Sequence, residues 1–350
     1  MNHLGGSAMR ILVTGGLGFI GSHLVRRLLR EPEVLVTNLD VLTYAGNLAN
    51  VADVAGSDRY VWEQSSITDE VAVDRILRET QYDAIINLAA ESHVDRSISD
   101  GLPFVKTNVV GTQVLLEAAR RHQVGRFVQV STDEVYGSLG EHGYFTELSP
   151  LQPNSPYSAS KASADLLVLA AYRTYGQNVV VTRCSNNYGP YQFPEKLIPL
   201  YITNGIEGKP WPLYGDGLNV RDWLHVEDHV DALWLALSRG QAGEIYNIGG
   251  HNERTNRQVA LTLLDIMGLS PDIVVSVPDR PGHDRRYAID PSKAMRELGF
   301  FPRHDWTEGM RETVRWYETH PKWWQTIKSG EYLQFYQRQY GRLGDAPHES

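Results

Sequence analysis

The sequence predicts an α/β protein with a doubly wound parallel sheet, followed by a smaller, mixed α/β domain. Short β-branched runs alternate with amphipathic helical segments through the first half of the chain. A glycine-rich turn joins the first of these strands to the first helix, an arrangement typical of sheets that bind ligands at their carboxyl ends. From about residue 190 the pattern is less regular and richer in proline, glycine and aromatic residues.

The elements of the first half follow from their apolar periodicity, which is continuous or period two in strands and three to four residues in helices. The predicted strands are Arg10–Thr14, Val34–Leu39, Tyr60–Glu63, Ala84–Leu88, Arg126–Val130 and Asn178–Thr182. The predicted helices are Gly18–Arg30, Val71–Glu79, Thr107–His122 and Tyr157–Tyr175.

The second half contains fewer clear elements. They are a helix at Val226–Ser238, a strand at Glu244–Ile248, a helix at Gln258–Met267 and an aromatic helical tail over Trp306–Tyr340. We expect one domain from residues 9–189 plus about 222–250, and a second from about 190–221 and 251–345.

Composition and charge exclude several protein classes. The chain has 350 residues, of which 42% are hydrophobic and 21% charged, unlike disordered, collagen-like or coiled-coil proteins. The net charge of −9 disfavours nucleic acid and anionic membranes as partners. The apolar runs are also shorter than the ~20 residues that a membrane helix needs.

The cysteine content and the first ten residues indicate the cellular compartment in which the protein is expected. A single cysteine, Cys184, excludes an intrachain disulfide and a cysteine-based zinc site, and it fits a reducing compartment. Residues 1–10 lack the apolar core of a signal peptide, and Met9 offers a second start. We expect a cytoplasmic protein with no metal site.

The glycine-rich turn has the spacing of a phosphate-binding loop. Gly16, Gly18 and Gly21 fit G-x-G-x-x-G, and Gly15 gives a second match, G-x-x-G-x-x-G. Glycines let the backbone approach a pyrophosphate, and the following helix presents free N–H groups. Asp40 ends the second strand, where an acid binds both ribose hydroxyls and repels a 2′-phosphate, so NAD is favoured over NADP. The alternatives are a plain tight turn and a capping role for Asp40.

Tyr157 and Lys161 form a Y-x-x-x-K pair near the start of a predicted helix. A spacing of four places both side chains on one helical face. An ammonium group near a phenol lowers the pKa of the phenol, as a base that removes a hydroxyl proton requires. Alone, the pair could equally be an incidental helical pair; after a dinucleotide-binding motif it indicates a catalytic site.

Two adjacent carboxyl groups, Asp133 and Glu134, directly follow Thr132 at the end of the fifth strand. Neighbouring carboxyls in a partly buried site tend to have pKa values that are pushed apart, so one stays protonated while the other ionises. Such a pair supplies an acid and a base together. The alternative is a solvated strand end.

With these motifs the chain resembles the extended short-chain dehydrogenase/reductases, whose fold is Rossmann-like, and among them the dTDP-glucose 4,6-dehydratase family. The closer resemblance depends on residues 88–95 (LAAESHVD), 183–190 (RCSNNYGP) and 280–287 (RPGHDRRY), and it runs from about residue 9 to the 310s. GDP-mannose dehydratases carry a different residue before their glutamate, so Asp133 argues against them. Ser66 departs from the family's usual Asp-Ile, but it can still hydrogen-bond.

The resemblance implies a lyase that converts dTDP-glucose to dTDP-4-keto-6-deoxyglucose with tightly bound NAD. Tyr157 would take the proton of the sugar 4-hydroxyl, and Lys161 would lower its pKa and bind the nicotinamide ribose. Thr132 would hydrogen-bond the 4-oxygen. Glu134 would take the C5 proton and Asp133 would protonate the leaving 6-hydroxyl, before the hydride returns to C6.

The resemblance also assigns binding residues and a homodimer, in which a helix within 107–122 and the helix from Tyr157 pair between subunits. The NAD-binding residues are Gly15, Gly18, Phe19, Ile20, Gly21, Asp40, Val41, Leu42, Thr43, Ser66, Ile67, Leu88, Ala89, Ala90, Glu91, Ser92, Thr107, Tyr157, Lys161 and Asn187. The dTDP-glucose-binding residues are Ser92, Thr132, Asn186, Lys196, Leu197, Pro212, Leu213, Tyr214, Arg221, Asn256, His283, Asp284, Arg285, Arg286 and Tyr287.

Some of these residues could instead have a purely structural role. Arg221 suits a diphosphate, since its fork matches two oxygens, but it could instead pair with the neighbouring Asp222. Arg285 and Arg286 could belong to a solvated face, and His283 could be structural.

Two other functions remain open. A nucleotide-sugar 4-epimerase or decarboxylase would use the same fold, but neither reaction needs the acid and base at residues 133 and 134. A non-catalytic NAD-binding sensor would be expected to lack a catalytic group, yet Thr132, Tyr157 and Lys161 are all present.

Overall fold

A computed structural model describes residues 8–279 and 283–329. Across that part of the chain, no helix combines the length and apolar character needed to cross a membrane. The strands are β1 (Met9–Thr14), β2 (Val34–Leu39), β3 (Tyr60–Glu63), β4 (Ala84–Asn87), β5 (Arg126–Thr132), β6 (Val179–Cys184), β7 (Asn186–Tyr188), β8 (Trp211–Tyr214), β9 (Val220–His225), β10 (Glu244–Ile248), β11 (Glu253–Thr255) and β12 (Val274–Val277). The helices are α1 (Phe19–Leu29), α2 (Glu70–Glu79), α3 (Val94–Ser99), α4 (Leu102–Phe104), α5 (Thr112–Arg121), α6 (Pro156–Tyr175), α7 (Leu197–Glu207), α8 (Val226–Arg239), α9 (Asn256–Met267), α10 (Ser292–Leu298), α11 (Trp306–Thr319) and α12 (Pro321–Ile327).

The main sheet contains seven of the described strands in the order β10-β6-β5-β4-β1-β2-β3, and all neighbours are parallel. This confirms the predicted doubly wound sheet. The order reverses between β1 and β4, so the connections leave in opposite directions there and open a crevice at the carboxyl ends. Thr14 and Asn87, which end the two strands, are register partners, and their side chains hydrogen-bond at 2.6 Å.

The central strands are apolar because helices cover both faces of the sheet. On β1, Ile11 and Val13 pack into the cluster that contains residues of α1 and α8. Leu12, between them, packs into the cluster that contains residues of α2, α5 and α6. All three are fully buried, so this strand offers polar groups only where it ends.

The second half builds a separate hydrophobic cluster around α7, α9, α11 and α12, with Trp211 and Trp324 fully buried in it. Small sheets β12-β8 and β11-β9-β7 flank this cluster. The sequence did not predict α7. Most of its residues are buried, so it lacks the polar face that makes an amphipathic helix recognisable.

The helical segment predicted at Thr107–His122 differs in form. It begins earlier, at α4, and Val105–Gly111 form π-helical turns before α5. Within those turns the Asn108 side chain bonds the backbone of Glu91 in both directions, at 2.9 and 3.0 Å, and donates to Ser160 Oγ at 2.8 Å. Single π turns commonly occur where a functional geometry is needed.

The predicted helical tail divides into two helices. The first ends at Thr319, and the second begins at Pro321, which lacks an N–H group and disfavours a helical conformation in the residue before it. The tail beyond residue 329 lies outside the described residues.

A buried ion pair joins α6 to the sheet. Arg183 on β6 donates from Nε to Asp165 Oδ2 on α6 at 2.9 Å, and both side chains are at most 2% exposed. Arg183 Nη1 also donates to the hydroxyl of Tyr136 at 2.9 Å, and that hydroxyl donates to Asn247 on β10 at 2.8 Å. The pair therefore fixes the helix that carries Tyr157 and Lys161.

We predict that Asp165→Ala lowers the free energy of unfolding by about 3–5 kcal/mol, because it leaves a buried guanidinium without its counter-charge. Urea denaturation measures the change. As a control, Arg311→Ala breaks the exposed Arg311–Glu308 pair and should cost at most about 1 kcal/mol. Equal losses in the two variants would contradict a special role for the buried pair.

Candidate active site

One large cavity, of about 450 Å³, follows the carboxyl ends of the main sheet. Its wall runs from the glycine turn after β1, past the ends of β4, β5 and β6, to residues of α7, β8 and β9. The sheet therefore brings the turn and the Y-x-x-x-K helix into one site.

The glycine turn is shaped by close backbone contacts. A Cβ atom on Gly21 would lie 2.1 Å from the carbonyl oxygen of Gly15, so only glycine fits there. Gly15 itself has φ +72° and sits against the backbone of Ala89. Helix α1 begins at Phe19, and its N-cap residue Gly18 offers no side-chain cap, so the helix N-terminus is open toward the cavity. This cradle fits a pyrophosphate group.

Asp40 lines the cavity and also stabilises the turn. Its carboxylate accepts the N–H groups of Leu17 at 2.9 Å and Leu42 at 2.8 Å. Burial raises the pKa of Asp40, while these two bonds counter that rise. A carboxylate has about four lone-pair positions, so two remain for ribose hydroxyls. The capping role and the cofactor role are compatible.

Tyr157 and Lys161 both lie on the buried face of α6 and line the cavity. Ser155 caps the helix through the N–H of Ser158 at 3.1 Å. Lys161 Nζ donates to the carbonyl of Val130 at 2.7 Å, which places the ammonium group beside the end of β5.

The pKa of Tyr157 differs in direction from the expectation. Burial, the Glu134 carboxylate and Asp133 raise it well above its ordinary value, while a hydrogen bond with Thr132 lowers it. Burial likewise lowers the pKa of Lys161, and Asp165 counters this. Without further positive charge, the phenol stays protonated at neutral pH.

Asp133 and Glu134 stand in different environments although they are adjacent. A 3-10 turn over Asp133–Tyr136 follows β5 and separates their side chains. Glu134 lines the cavity and accepts the Ser158 hydroxyl at 3.4 Å. Asp133 is only 1% exposed, and Thr132 Oγ1 lies 3.3 Å from its Oδ1.

Burial and nearby negative charge separate the two acids chemically. Burial is the largest cause that raises the pKa of Asp133 well above its usual value, followed by the charges of Glu134 and Asp222. This rise favours the protonated form of Asp133, which has a proton to give. Its Oδ2 has no hydrogen-bond partner among the described residues.

Arg221 reaches the far end of the cavity from β9. It is 6% exposed, its guanidinium donates to the carbonyls of Val220 at 2.7 Å and Asp284 at 3.0 Å, and it lies 4.2 Å from the ring centre of Tyr287. Asp222, its neighbour, accepts the N–H groups of residues 250 and 252. A buried, well-held guanidinium facing a cavity suits a phosphate group.

The proteins that resemble this chain in sequence and structure include nucleotide-sugar dehydratases, which agrees with the geometry of the cavity. Residues 12–313 match the family model described as GDP-mannose 4,6 dehydratase. A dTDP-glucose 4,6-dehydratase of Neisseria meningitidis serogroup B is 51% identical, covering 92% of this chain and 97% of the relative. One from Streptomyces griseus is 56% identical, covering 91% and 96%. The structure of the Streptomyces venezuelae enzyme with NAD and dTDP bound has a TM-score of 0.89 at 53% identity, covering 91% of this chain and 100% of that one.

The chain belongs to the dTDP-glucose 4,6-dehydratase family. The matching family model and these relatives agree on 4,6-dehydration of a nucleotide sugar and differ in the sugar nucleotide that they name. The predicted Rossmann-like fold is confirmed, and NAD is present in the solved Streptomyces venezuelae dehydratase.

Most of the residues predicted from this dehydratase family do line the cavity. All of the predicted cofactor residues do so except Leu42, which packs against the core. Asp133 lies behind the wall rather than in it. The predicted substrate residues that do not line the cavity are Leu213, Asp284, Arg285, Arg286 and Tyr287.

The residues off the cavity wall have other partners. Arg285 forms an exposed ion pair with Asp216, and Arg286 binds Glu253 through two nitrogens, at 2.7 and 3.0 Å. Asp284 and Tyr287 hydrogen-bond each other and support Arg221 instead. His283 does line the cavity, with Nδ1 2.5 Å from Asp279. Arg280, Pro281 and Gly282, which belong to the quoted motif, lie outside the described residues.

Several lining residues were missed by the sequence analysis. They include Ala45, Gly46, His93, Asp95, Ser185, Gln192, Phe193 and Glu195. Two signals were available: His93 and Asp95 belong to a quoted motif, and Glu195 directly precedes Lys196. The others lie on loops, whose paths a periodicity argument does not give.

Proposed function

We propose that this chain converts dTDP-glucose to dTDP-4-keto-6-deoxyglucose in the cavity described above. One observation carries the proposal: a buried Asp133, whose pKa is raised well above its usual value, and a cavity-lining Glu134 stand at the end of β5, next to Thr132 and Tyr157. Oxidation alone needs only a hydroxyl, a tyrosine and a lysine. An added acid and base suit a reaction that also removes water.

The glycine turn, Asp40 and Lys161 would hold NAD, which when bound accepts a hydride from the sugar C4 and returns it to C6. The turn can close this tightly because residues 15 and 21 have no side chains, whose Cβ atoms would meet the backbone of Gly15 and Ala89. Asp40 has free lone pairs for the ribose hydroxyls and would oppose a 2′-phosphate.

The first half of the reaction is oxidation at C4. Tyr157 takes the proton of the 4-hydroxyl, and Thr132 donates a hydrogen bond to the developing carbonyl oxygen. Lys161, held by the carbonyl of Val130, adds positive charge near the phenol. The resulting ketone makes the neighbouring C5 hydrogen acidic.

The second half is loss of water. Glu134 takes the C5 proton, the C6–O bond breaks, and Asp133 supplies the proton with which the 6-hydroxyl leaves as water. The hydride that bonds to C6 would come from the bound cofactor, and the protonated Glu134 would return its proton to C5. The Thr132 hydroxyl lies between Asp133 and the cavity, so it can relay the proton.

Arg221, with Asn256 and His283, would bind the diphosphate and nucleoside half of the substrate.

We infer that residues 9–189 and about 222–250 form the NAD-binding domain, and that about 190–221 and 251–345 form the substrate domain. The packing supports most of this division, because α8 and β10 join the main sheet while α7 and α9 belong to the second cluster. The exception is α10, which packs into the main-sheet cluster. We place the enzyme in the cytoplasm, with which its one buried, unpaired cysteine agrees.

We also propose a homodimer through α6 and the helical segment before α5. Large apolar side chains are exposed on both: Leu166, Tyr172 and Tyr175 on α6, and Val105 and Val110 on the π-helical turns, each at least 40% exposed. The expected result is a mass of two chains by light scattering. Leu166→Arg should shift this toward a single chain, whereas Leu148→Arg, at a 95% exposed position elsewhere, should not.

The function is tested by incubating the purified protein with dTDP-glucose and no added NAD. We expect a product one water lighter by mass spectrometry, with the alkali-induced absorbance of a 4-keto-6-deoxy sugar. An isomer of unchanged mass would instead identify an epimerase. A parallel incubation with UDP-glucose measures how strictly the protein prefers the thymine nucleotide over the uracil nucleotide.

Variants separate the two halves of the reaction. Glu134→Gln and Asp133→Asn should lower the dehydration rate by about 10²–10⁴-fold yet still transfer hydride from substrate, seen as absorbance at the wavelength of reduced nicotinamide. Tyr157→Phe should lose that signal too, because the base for C4 oxidation is gone. Tyr144→Phe, at a 54% exposed position off the cavity wall, is the matched control. Full dehydration by Glu134→Gln would remove this residue from its assigned step.

A further inference from the structure

Three segments that leave different strands meet along one side of the cavity. Residues 41–46 follow β2, residues 88–96 follow β4, and residues 190–196 follow β7. Each contributes to the wall, for example through Ala45, Asp95 and Phe193. The glycine turn lines the cavity as well, so a dinucleotide seated on that turn is bordered by these segments.

Four side chains connect the three segments, and we call them the Tyr44 clasp: Tyr44, Arg96, Phe193 and Glu195. The guanidinium of Arg96 lies 3.9 Å from the ring centre of Tyr44. The Tyr44 ring meets that of Phe193 edge to face, with centres 5.6 Å apart. Arg96 Nη2 is 3.3 Å from Glu195 Oε2, and the Glu195 side chain is only 3% exposed.

Tyr44 is the contact that brings residues 41–46 into this set. The other two segments are also joined by Lys196, which donates to the carbonyl of Ser92 at 3.0 Å. The loop around Tyr44 also bonds within itself, from Gly46 N to Thr43 O at 3.0 Å. The Tyr44 ring reaches from this loop across the cavity edge to both of the other segments.

We propose that the Tyr44 clasp retains NAD in the cavity through the catalytic cycle. For a dinucleotide to leave, residues 41–46 must separate from the other two segments, which breaks the ring contacts of Tyr44 with Arg96 and Phe193. Retention matters because the reaction proposed above, on which this reasoning rests, removes a hydride and returns it later. If the cofactor left between those steps, the oxidised sugar would remain without the hydride that completes the reaction.

The test measures exchange of bound NAD in the purified holoenzyme without any sugar substrate. The protein is mixed with isotopically labelled NAD, desalted at intervals and analysed by mass spectrometry. Tyr44→Ala should exchange NAD about tenfold faster than the parent protein, since it removes both the ring–ring and the cation–π contact. Tyr44→Phe keeps the ring and should exchange at close to the parent rate.

A matched control is Tyr144→Ala, which removes another tyrosine ring stacked by an arginine, 5.7 Å from Arg286, at a 54% exposed position off the cavity wall. It should leave NAD exchange unchanged. If Tyr44→Ala does not fold by circular dichroism, Arg96→Gln removes the same stack. Unchanged exchange in whichever of these two variants folds would overturn the clasp, as would equal acceleration in Tyr44→Phe.

A separate readout distinguishes the clasp from the proposed reaction. After dilution, Tyr44→Ala should lose dehydration activity and regain it with added NAD, whereas the parent protein should need none. If the parent protein does not dehydrate dTDP-glucose but its NAD exchange still depends on Tyr44, the proposed function fails and the clasp stands.

Discussion

Burial of the central strands on both faces is the constraint that determines where chemistry can lie in this protein. β1, β4 and β6 are sandwiched between helices, so a charged side chain within them would need a buried partner. Arg183 on β6 is such a residue, and its buried partner is Asp165. The polar groups of the site lie instead at the carboxyl ends of strands, as Thr132 does, or on neighbouring helices, as Tyr157 and Lys161 do on α6.

The two carboxyls at the end of β5 show how position alone separates an acid from a base. They are neighbours in sequence, yet the 3-10 turn directs one into the interior and the other to the cavity. Burial raises the pKa of Asp133, and the charge of Glu134 adds to that rise. Neither residue would be suited to its role in the environment of the other, because an ionised Asp133 would have no proton to give.

Periodicity predicted the main sheet, because strands and covering helices leave local patterns. The glycine turn, Asp40 and the Tyr157–Lys161 pair followed from their spacing in the sequence, and most of the other cavity residues followed from the family resemblance. The sequence analysis failed where side-chain direction depends on distant chain. Arg285 and Arg286 point to Asp216 and Glu253, and α7 is buried on nearly all sides, so neither feature leaves a local pattern.

The electrostatics of the cavity bring the two half-reactions into conflict. The carboxyl groups that remove water also raise the pKa of Tyr157, the group that must first accept a proton. Burial also lowers the pKa of Lys161, and Asp165 counters that shift. Protonation of Asp133 would reduce the negative charge beside the phenol, and the cationic ring of oxidised nicotinamide would add positive charge there. A protonated elimination acid therefore favours both steps.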